Sequence, residues 1–252
     1  LDLRELLDPE VVEEVAAELQ HTAPSRRATT VDALSDLPRI LGPIPLSGLS
    51  ERVDGLDLDD AIPALGARAA VVQLAGEPHL VAAADLSLLR DALGIPVPPG
   101  HSGALPAEGR DPLTQLVARF ARTHGPFTAA EVAATFGLGV ATVGLVLERE
   151  TAARRLMTGR FTPGRAEPEF VDPEVLRRLR SRSLARARAQ LQPVSATGYA
   201  RFLSASHQLA DRPESSPDEV LLAHHGLAGA ALPASAWETH VLPARLRRTS
   251  PA

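Results

Sequence analysis

One stretch of the sequence, residues 111–162, restricts the possible folds more than any other part of the chain. Its apolar residues recur at three- and four-residue spacing, as they do along one face of a helix. The first run begins at Asp111-Pro112, a capping residue followed by proline in the first turn, and ends at His124-Gly125-Pro126. Thr128 and Glu131 then have the spacing of a capping box. The stretch therefore predicts two helices in quick succession.

The residues that follow predict a third helix and a hairpin. Gly137-Leu138-Gly139 is typical of a tight turn, and the helix after it should cover residues 140–150. Residues 155–157 and 160–162 predict two short strands around a glycine turn at Thr158-Gly159. Helix, helix, tight turn, helix and hairpin is the order of a winged-helix domain. Such domains place the third helix in a DNA groove and the hairpin against the DNA backbone.

Six residues of this stretch are predicted to contact DNA. Contacts to backbone phosphates carry most of the affinity for DNA, so arginines of the third helix and the hairpin are the natural candidates. The predicted residues are Thr142, Arg149, Arg154, Arg155, Arg160 and Arg165. The alternative is that the arginines form a solvated face of a small domain. Winged helices also serve as dimer or scaffold modules.

The same pattern occurs a second time, 83 residues earlier. Leu41-Gly42-Pro43-Ile44 corresponds to His124-Gly125-Pro126-Phe127, and Leu49 and Val53 fall where Val132 and Phe136 fall. We interpret this as an internal repeat. The fold class predicted is therefore mainly α with short β-hairpins, in a tandem winged-helix array.

The earlier copy differs from the later one in its third helix and its hairpin. Glycine and proline interrupt the helix, and four aspartates crowd it, namely Asp54, Asp57, Asp59 and Asp60. Residues 69–74 and 79–83 predict a longer hairpin around a turn at Ala75-Gly76-Glu77-Pro78, and Asp85 is predicted to cap a helix that ends at Leu93.

The remaining segments complete a six-part division of the chain. Asp8-Pro9 begins a predicted helix that ends near Gln20, and Asp172-Pro173 begins one with six arginines, spread around most of its circumference. Leu232-Pro233 followed by Trp237 indicates a third, incomplete copy. The predicted divisions are an N-terminal helix and connection (1–30), a first winged-helix-like unit (31–93), a Pro/Gly linker (94–110), a second winged-helix unit (111–165), an arginine-rich helix with a polar loop (166–218) and the start of a third winged-helix unit (219–252).

Composition excludes several kinds of chemistry. The sequence has no lysine, so it has no Walker A loop, and it has no cysteine, so disulfides and thiolate metal sites are excluded. Its eight histidines show no metal-binding spacing, and its apolar runs fall short of the roughly 18 residues of a membrane span. We therefore expect no cofactor, no metal and no membrane partner for this chain.

Charge is distributed unevenly along the sequence. Residues 1–110 hold 8 arginines and 18 acidic residues, whereas residues 111–252 hold 18 arginines and 13 acidic residues. This asymmetry predicts that any phosphate-binding surface lies in the second half.

Four segments resemble the large helicase-related (Lhr) proteins, in the region after their ATPase core. The longest runs from Pro112 to Thr128, and the others are Glu18-Leu19-Gln20, Val175 to Arg180, and Leu232-Pro233-Ala234-Ser235. Two positions depart from the family: Ser206-His207 replaces a Trp-Gln pair, and the helix ending at Glu150 has a charge where leucine is usual.

The resemblance implies a segment of an ATP-dependent DNA repair helicase of superfamily 2. The ATP and Mg²⁺ would belong to the helicase core, and a series of winged helices would end in a β-barrel similar to that of the AlkZ-type DNA glycosylases. The implied partners are single-stranded or partly duplex DNA, the protein's own helicase core and other copies of itself, and the implied location is the cytoplasm, on the nucleoid.

The expected role of this segment is DNA binding or assembly, without a motor and without catalytic residues of its own. Whether it has enzymatic activity is left open. One alternative is part of a DNA glycosylase, for which Gln190-Leu191-Gln192 resembles a catalytic Gln-x-Gln motif. The other is a tandem winged-helix transcription regulator. The absence of an initiating methionine and the unfinished third copy lead us to expect a fragment of a longer protein.

Overall fold

The computed structural model describes residues 7–101, 111–191, 193–207, 209, 213 and 216–247. It is mainly helical with two small antiparallel sheets, as the sequence predicts. The chain forms two compact units, Leu1–Arg188 and Ala189–Ala252. No helix in the described part of the chain is long and apolar enough to cross a membrane.

The first compact unit contains an N-terminal helix, two winged-helix units and a long C-terminal helix. Its helices are α1 (Pro9–Leu19), α2 (Val31–Leu41), α3 (Leu58–Ala64), α4 (Leu86–Leu93), α5 (Pro112–Thr123), α6 (Ala129–Phe136), α7 (Val140–Ala152) and α8 (Pro173–Ala189). Its strands are β1 (Ile44–Pro45), β2 (Ala69–Leu74), β3 (Glu77–Ala82), β4 (Met157–Gly159) and β5 (Glu169–Val171).

The first winged-helix unit has α2, two short 3₁₀ turns, α3 and the β2–β3 hairpin. The 3₁₀ turns (Leu46–Gly48 and Ser50–Arg52) stand where the later copy has a regular helix. Ala75 and Gly76 both have positive φ, 51° and 89°, which is the backbone that a two-residue hairpin turn requires. Strand β3 lies between β1 and β2 in a three-stranded sheet.

The central winged-helix unit contains α5, α6, α7 and the β4–β5 pair. The Asp111 carboxylate accepts a hydrogen bond from the Thr114 backbone N–H, and Thr128 and Glu131 form the predicted capping box. Gly137 ends α6 in the left-handed region, with φ 64°. The two units correspond here as well, because the isolated antiparallel bridge between Phe127 and Phe170 stands where Ile44 of β1 pairs with Leu80 of β3.

Two predictions for these units are wrong. The central hairpin does not turn at Thr158-Gly159, because β4 runs through Gly159 and pairs with Glu169–Val171 after a longer loop. The helix at Leu86–Leu93 is present, but the Asp85 side chain does not cap it. That carboxylate instead accepts two hydrogen bonds from Arg119 of α5, at 2.5 and 3.0 Å.

The two winged-helix units are packed together through the first hairpin. Ala69 and Leu80 belong to the core of the first unit, whereas Ala70, Val72 and Val81 belong to the core that contains α5, α6 and α7. Residues of the predicted linker also pack on the latter core, because Ile95 is buried there, while residues 102–110 lie outside the described part of the chain. The first winged-helix unit and the central unit therefore fold as one body.

Helix α1 packs on α8 and the β4–β5 region. Leu7, Val11 and Val15 share a third core with Phe161, Val171 and three apolar residues of α8. Leu7 and the apolar face of α1 are thus buried against the last helix of the unit.

The second compact unit is a small helical group. It contains α9 (Ala196–Ser206), α10 (Pro217–His225), α11 (Ala234–Ala236), a π-helical turn (Trp237–Val241) and α12 (Leu242–Arg245). Ala223 and Leu246 are its buried apolar residues among those described. The polar loop predicted before residue 219 falls partly on α9 and partly on residues outside the described ranges.

Candidate nucleic-acid interface

Helix α7 presents one face to the core and the other to solvent. Val143, Val146 and Leu147 are buried at helical spacing. The opposite face exposes Thr142 and Arg149, two of the predicted DNA-contact residues, together with Val140, Leu145 and Glu148. The helix predicted to enter a DNA groove is therefore accessible along its length.

Two hydrogen bonds that resemble a Schellman motif close the C-terminal end of α7. The Arg154 N–H donates to the Thr151 carbonyl and the Arg155 N–H to the Glu150 carbonyl, both at 2.9 Å. Arg154 occupies the left-handed position, with φ 58°, where glycine is the usual residue. The motif turns the chain sharply and leaves the Arg154 side chain exposed.

Arg155 is held by a carboxylate. Its Nε and Nη2 donate to Glu150 at 2.6 and 2.5 Å, and this hydrogen bond is the largest cause that raises the pKa of Arg155. Glu150 is buried, with 2% of its surface exposed, so the arginine compensates an otherwise costly charge. The charge of Glu150 is thus satisfied inside the unit.

The loop after β4 is organised by the buried carboxylate of Glu169. It accepts hydrogen bonds from the Phe161 and Thr162 backbone N–H groups at 2.6 and 2.7 Å. Arg165 donates to this carboxylate at 3.4 Å and to Glu131 of α6 at 2.7 Å. Hydrogen bonding to Glu131 is also the largest cause that raises the pKa of Arg165.

Gly159 has a packing role here. A Cβ at this position would lie 2.9 Å from the Phe161 ring, so the missing side chain makes room for that buried ring. This explains a glycine at a position that does not turn.

The predicted DNA-contact residues thus fall into two groups. Thr142, Arg149, Arg154 and Arg160 are exposed, and the three arginines form no ion pair within the described ranges. Arg155 and Arg165 are paired with carboxylates. The role of all six in DNA contact stays a prediction, and the geometry favours the first group for phosphate binding.

Three of the six arginines of α8 pair with carboxylates of α1 and its N-cap, an arrangement that the sequence analysis did not predict. Arg182 donates to both carboxylate oxygens of Glu18, at 2.8 and 3.0 Å, and this bonding lowers the pKa of Glu18. Arg178 lies 3.9 Å from the same carboxylate. One turn further along α8, Arg186 pairs with Asp8, Glu10 and Glu14.

These pairs change the interpretation of the charge asymmetry. Acidic residues of the first half neutralise arginines of the second half, so the arginine excess is not all available to a ligand. The four-residue spacing of Arg178, Arg182 and Arg186, matched by that of Glu10, Glu14 and Glu18, is the signal that could have revealed this contact.

The described part of the chain shows neither a pocket built around the glycosylase-like Gln-x-Gln motif nor a cluster of metal ligands. Gln190 is exposed, and Gln192 lies outside the described ranges. No group of three or more His, Asp or Glu residues among those described could hold a metal ion.

Family models and curated relatives match this chain. The model of the second winged-helix domain of the large helicase-related protein matches residues 5–108, and that of the third matches residues 194–252. The "Lhr helicase/ probable uracil glycosylase" of Mycolicibacterium smegmatis (strain ATCC 700084 / mc(2)155) is 41% identical over 254 residues, which cover 100% of this chain and 17% of that protein. The chain belongs to the winged-helix region of the Lhr family.

A second Lhr relative agrees with this assignment. The "Lhr helicase/uracil glycosylase" of Escherichia coli (strain K12) is 35% identical over 266 residues, covering 98% of this chain and 17% of that protein. The chain thus spans about a sixth of the length of the curated relatives that it matches. The match to the second Lhr winged-helix domain includes α1 as well as α2, α3 and α4.

Proposed function

We propose that this Lhr segment is a DNA-binding module of an ATP-dependent DNA helicase that acts in DNA repair, and that the ATPase motor lies in another part of the protein. Membership of the Lhr family supports the helicase context, and the absence of lysine from the sequence supports a motor located elsewhere. The segment would then work on DNA beside its own helicase core, on the bacterial nucleoid.

One observation carries the DNA-binding proposal. Arg149, Arg154 and Arg160 of the central unit are exposed and make no ion pair within the described residues, although Arg155 and Arg165 close by in the chain are paired. Unpaired guanidinium groups can exchange counterions for phosphates without first breaking an internal pair.

The conformation of Arg154 gives independent support. A non-glycine residue in the left-handed region costs on the order of 1–2 kcal/mol, and nothing in the fold of the unit requires arginine there. Backbone strain of this kind is concentrated at functional sites. We infer that the side chain is kept for a contact outside the chain.

Assembly is a second candidate function, favoured by a different observation. Val140 and Leu145 on the accessible face of α7 are 52% and 65% exposed. Large apolar side chains on an otherwise accessible helix face are typical of protein contacts. In this alternative α7 would dock on the helicase core or on a second copy of the protein.

The glycosylase activity that the names of the two relatives mention is proposed to lie outside this segment. A purified segment that removes uracil from DNA, and loses that activity on Gln190→Ala, would contradict this part of the proposal.

A salt titration tests the DNA proposal. We expect the triple variant Arg149→Gln, Arg154→Gln, Arg160→Gln to bind DNA more weakly for unrelated sequences alike. The plot of log K against log salt should become shallower, its slope falling in magnitude by about 0.9 for each lost contact to duplex phosphates. Binding is measured by fluorescence anisotropy from low to physiological salt.

The matched control replaces three exposed arginines outside the central unit by glutamine, namely Arg39, Arg180 and Arg188, which form no ion pair with the described residues. It should leave the slope nearly unchanged. An unaltered slope in the folded central triple variant would reject DNA contact by these arginines. The assembly alternative is examined with Leu145→Glu, which should change the mass seen by light scattering only if α7 is a protein interface.

A further inference from the structure

A cavity of about 240 Å³ lies between the two winged-helix units of the first compact unit. Its walls come from the end of α1, the second 3₁₀ turn, the first hairpin, and α5 and α6. None of the six predicted DNA-contact residues lines it. The lining residues that matter here are Gln20, Arg52, Glu77, Phe120, His124 and Phe136.

Arg52 is the guanidinium group of this cavity, and no carboxylate forms an ion pair with it among the described residues. Nη1 donates to the Gly48 carbonyl at 2.7 Å and Nη2 to Gln20 Oε1 at 2.8 Å, both neutral acceptors. Its Nε is buried without a hydrogen-bond partner within the described ranges. Because Nε is fully buried, the N–H groups left for a ligand are the second ones on Nη1 and Nη2.

Burial of this cation is unfavourable as it stands. Desolvation lowers the pKa of Arg52, although the neighbouring Glu51 acts in the opposite direction. A half-buried cation and an unpartnered Nε together indicate that the site lacks an acceptor.

The groups that accept hydrogen bonds from Arg52 are uncharged and are themselves held in place. Gln20 Nε2 donates to the Thr123 carbonyl at 2.7 Å, so the amide oxygen is oriented towards Arg52. His124 Nδ1 lies 2.8 Å from the Phe120 carbonyl, which can only accept, so Nδ1 carries the proton of the neutral ring. That ring stacks on Phe120, with centroids 3.6 Å apart.

One lining residue opposes an anion. Glu77 stands on the exposed end of the first hairpin, where Ser47 Oγ donates to its carboxylate at 3.3 Å. Since Glu77 is exposed and makes no ion pair with Arg52, it weakens the positive potential of the cavity without satisfying the guanidinium.

We propose that this cavity binds a phosphate monoester group, which Arg52 holds through its uncommitted N–H groups. Arginine prefers planar, bidentate contact with phosphate oxygens. The volume is below the range of pockets for drug-sized ligands, which suits a small anionic group. The apolar side chains of Phe136 and Ile44 offer a surface for the sugar that bears the phosphate.

Two sources supply this chemistry, namely a free nucleotide and the phosphorylated end of a nucleic-acid strand. The experiment uses the full chain and isothermal titration calorimetry with four probes: inorganic phosphate, a deoxynucleoside 5′-monophosphate, and one oligonucleotide with and without a 5′-phosphate. We expect saturable binding of inorganic phosphate and of the monophosphate. A preference of about tenfold for the 5′-phosphorylated oligonucleotide would assign the site to strand ends, and equal binding of the two oligonucleotides would assign it to free nucleotides.

Two substitutions remove the site in different ways. Arg52→Met should weaken phosphate binding about tenfold or more, as expected for loss of charge-assisted hydrogen bonds. Gln20→Glu places a carboxylate beside Arg52, so it should abolish phosphate binding, while loss of the hydrogen bond to the Thr123 carbonyl should lower the melting temperature without unfolding the chain. Glu77→Gln should strengthen binding a few-fold.

Arg39→Gln, an exposed and unpaired arginine that does not line the cavity, serves as the control and should bind phosphate as the wild type does. No saturable binding of any phosphate probe to the wild type would overturn the proposal. So would undiminished phosphate binding to a folded Gln20→Glu variant. The triple variant of Arg149, Arg154 and Arg160 should retain phosphate binding, which keeps this proposal separate from the one on DNA binding.

Discussion

The first winged-helix unit and the central unit place corresponding side chains at corresponding positions in their cores. Leu49 and Val132 are both fully buried. Ile44 and Phe127 each pair with a strand of the wing of their unit, which is the β2–β3 hairpin in the first unit and the β4–β5 pair in the central unit. Their third helices differ: α3 has 7 residues and α7 has 13. Asp57 caps α3 and its first turn is acidic, whereas Arg149 in the last turn of α7 and Arg154 just after it form no ion pair with the described residues.

The wings of the two units also differ, because the first is packed against a neighbour and the central one leaves an arginine accessible. The tip of the first hairpin rests on the central unit, because a Cβ at Gly137 would lie 3.3 Å from Ala75 Cα. The central wing is held by its own carboxylate, Glu169, and leaves Arg160 exposed. One fold thus serves as a packing element in the first unit and as an accessible surface in the central unit, which shows that the core pattern and the surface chemistry vary independently.

The largest expected effect concerns the core position where the two units differ most in volume. Phe136→Ala should lower the free energy of unfolding by about 3–5 kcal/mol, because the buried ring also packs edge-on against Phe120. The corresponding change in the first unit, Val53→Ala, should cost about 1.5 kcal/mol, since only two methyl groups are removed. Urea unfolding of both variants tests the comparison, and equal losses would contradict it.

The second prediction uses pH. Burial lowers the pKa of His124 from 6.5 to about 4, with a further lowering from Arg52. Between these values the unfolded chain binds a proton that the folded chain does not. Stability therefore falls as the pH decreases from about 6.5 to about 4, by about 3 kcal/mol.

His124→Leu copies Leu41, the corresponding residue of the first unit, and should remove this dependence. The measurement is the free energy of unfolding at several pH values, and the quantity of interest is the difference between wild type and variant. A difference that stays constant across this pH range would show that His124 does not titrate as its burial implies.

The third prediction compares the wings. Glu169→Gln should cost about 2 kcal/mol, because the buried charge that accepts from two backbone N–H groups and from Arg165 is lost. Glu77→Gln is the control in the first hairpin, where the Glu77 side chain is exposed although the hairpin itself is packed, and it should change stability by less than about 0.5 kcal/mol. A cost for Glu77→Gln as large as that for Glu169→Gln would contradict the different roles assigned to the two wings.

The smallest expected effect lies after the third helices. Arg154 has φ 58°, and Gly66, just after α3, has φ 55°. Arg154→Gly should stabilise the protein by about 0.5–1 kcal/mol while it weakens DNA binding, and the reverse change Gly66→Arg should destabilise it by a similar amount. Gly66 has open space around it, so strain and not a clash would cause that loss. Thermal melts and anisotropy on the same samples separate the two effects.

Local features of the fold were predictable from the sequence. The capping box of Thr128 and Glu131 and the cap at Asp111 depend on residues within one turn, so their spacing alone specifies them. The offset of 83 residues likewise predicted the corresponding core positions, because burial repeats with the fold.

Features that depend on distant residues were not predictable. Asp85 was expected to cap a helix, but Arg119, 34 residues later, binds its carboxylate. Gly159 was expected to form a turn, but the ring of Phe161 occupies the space that its side chain would need. For the candidate interface, the sequence indicated which arginines lie near the third helix and the wing. It could not show that Glu150, Glu131 and Glu169 would engage two of them.

The contact between α1 and α8 has a consequence for synthesis of the protein. Glu18 and Arg182 are separated by 164 residues, and Val15 belongs to the same buried cluster as Leu179. At a translation rate of about 5–20 residues per second, the apolar face of α1 waits on the order of 8–30 s for its partner to be made. During that time the nascent chain exposes a hydrophobic helix. We therefore expect a ribosome-bound chain that stops before α8 to bind chaperones through α1. A longer chain, in which α8 has emerged from the ribosome, should lose that binding.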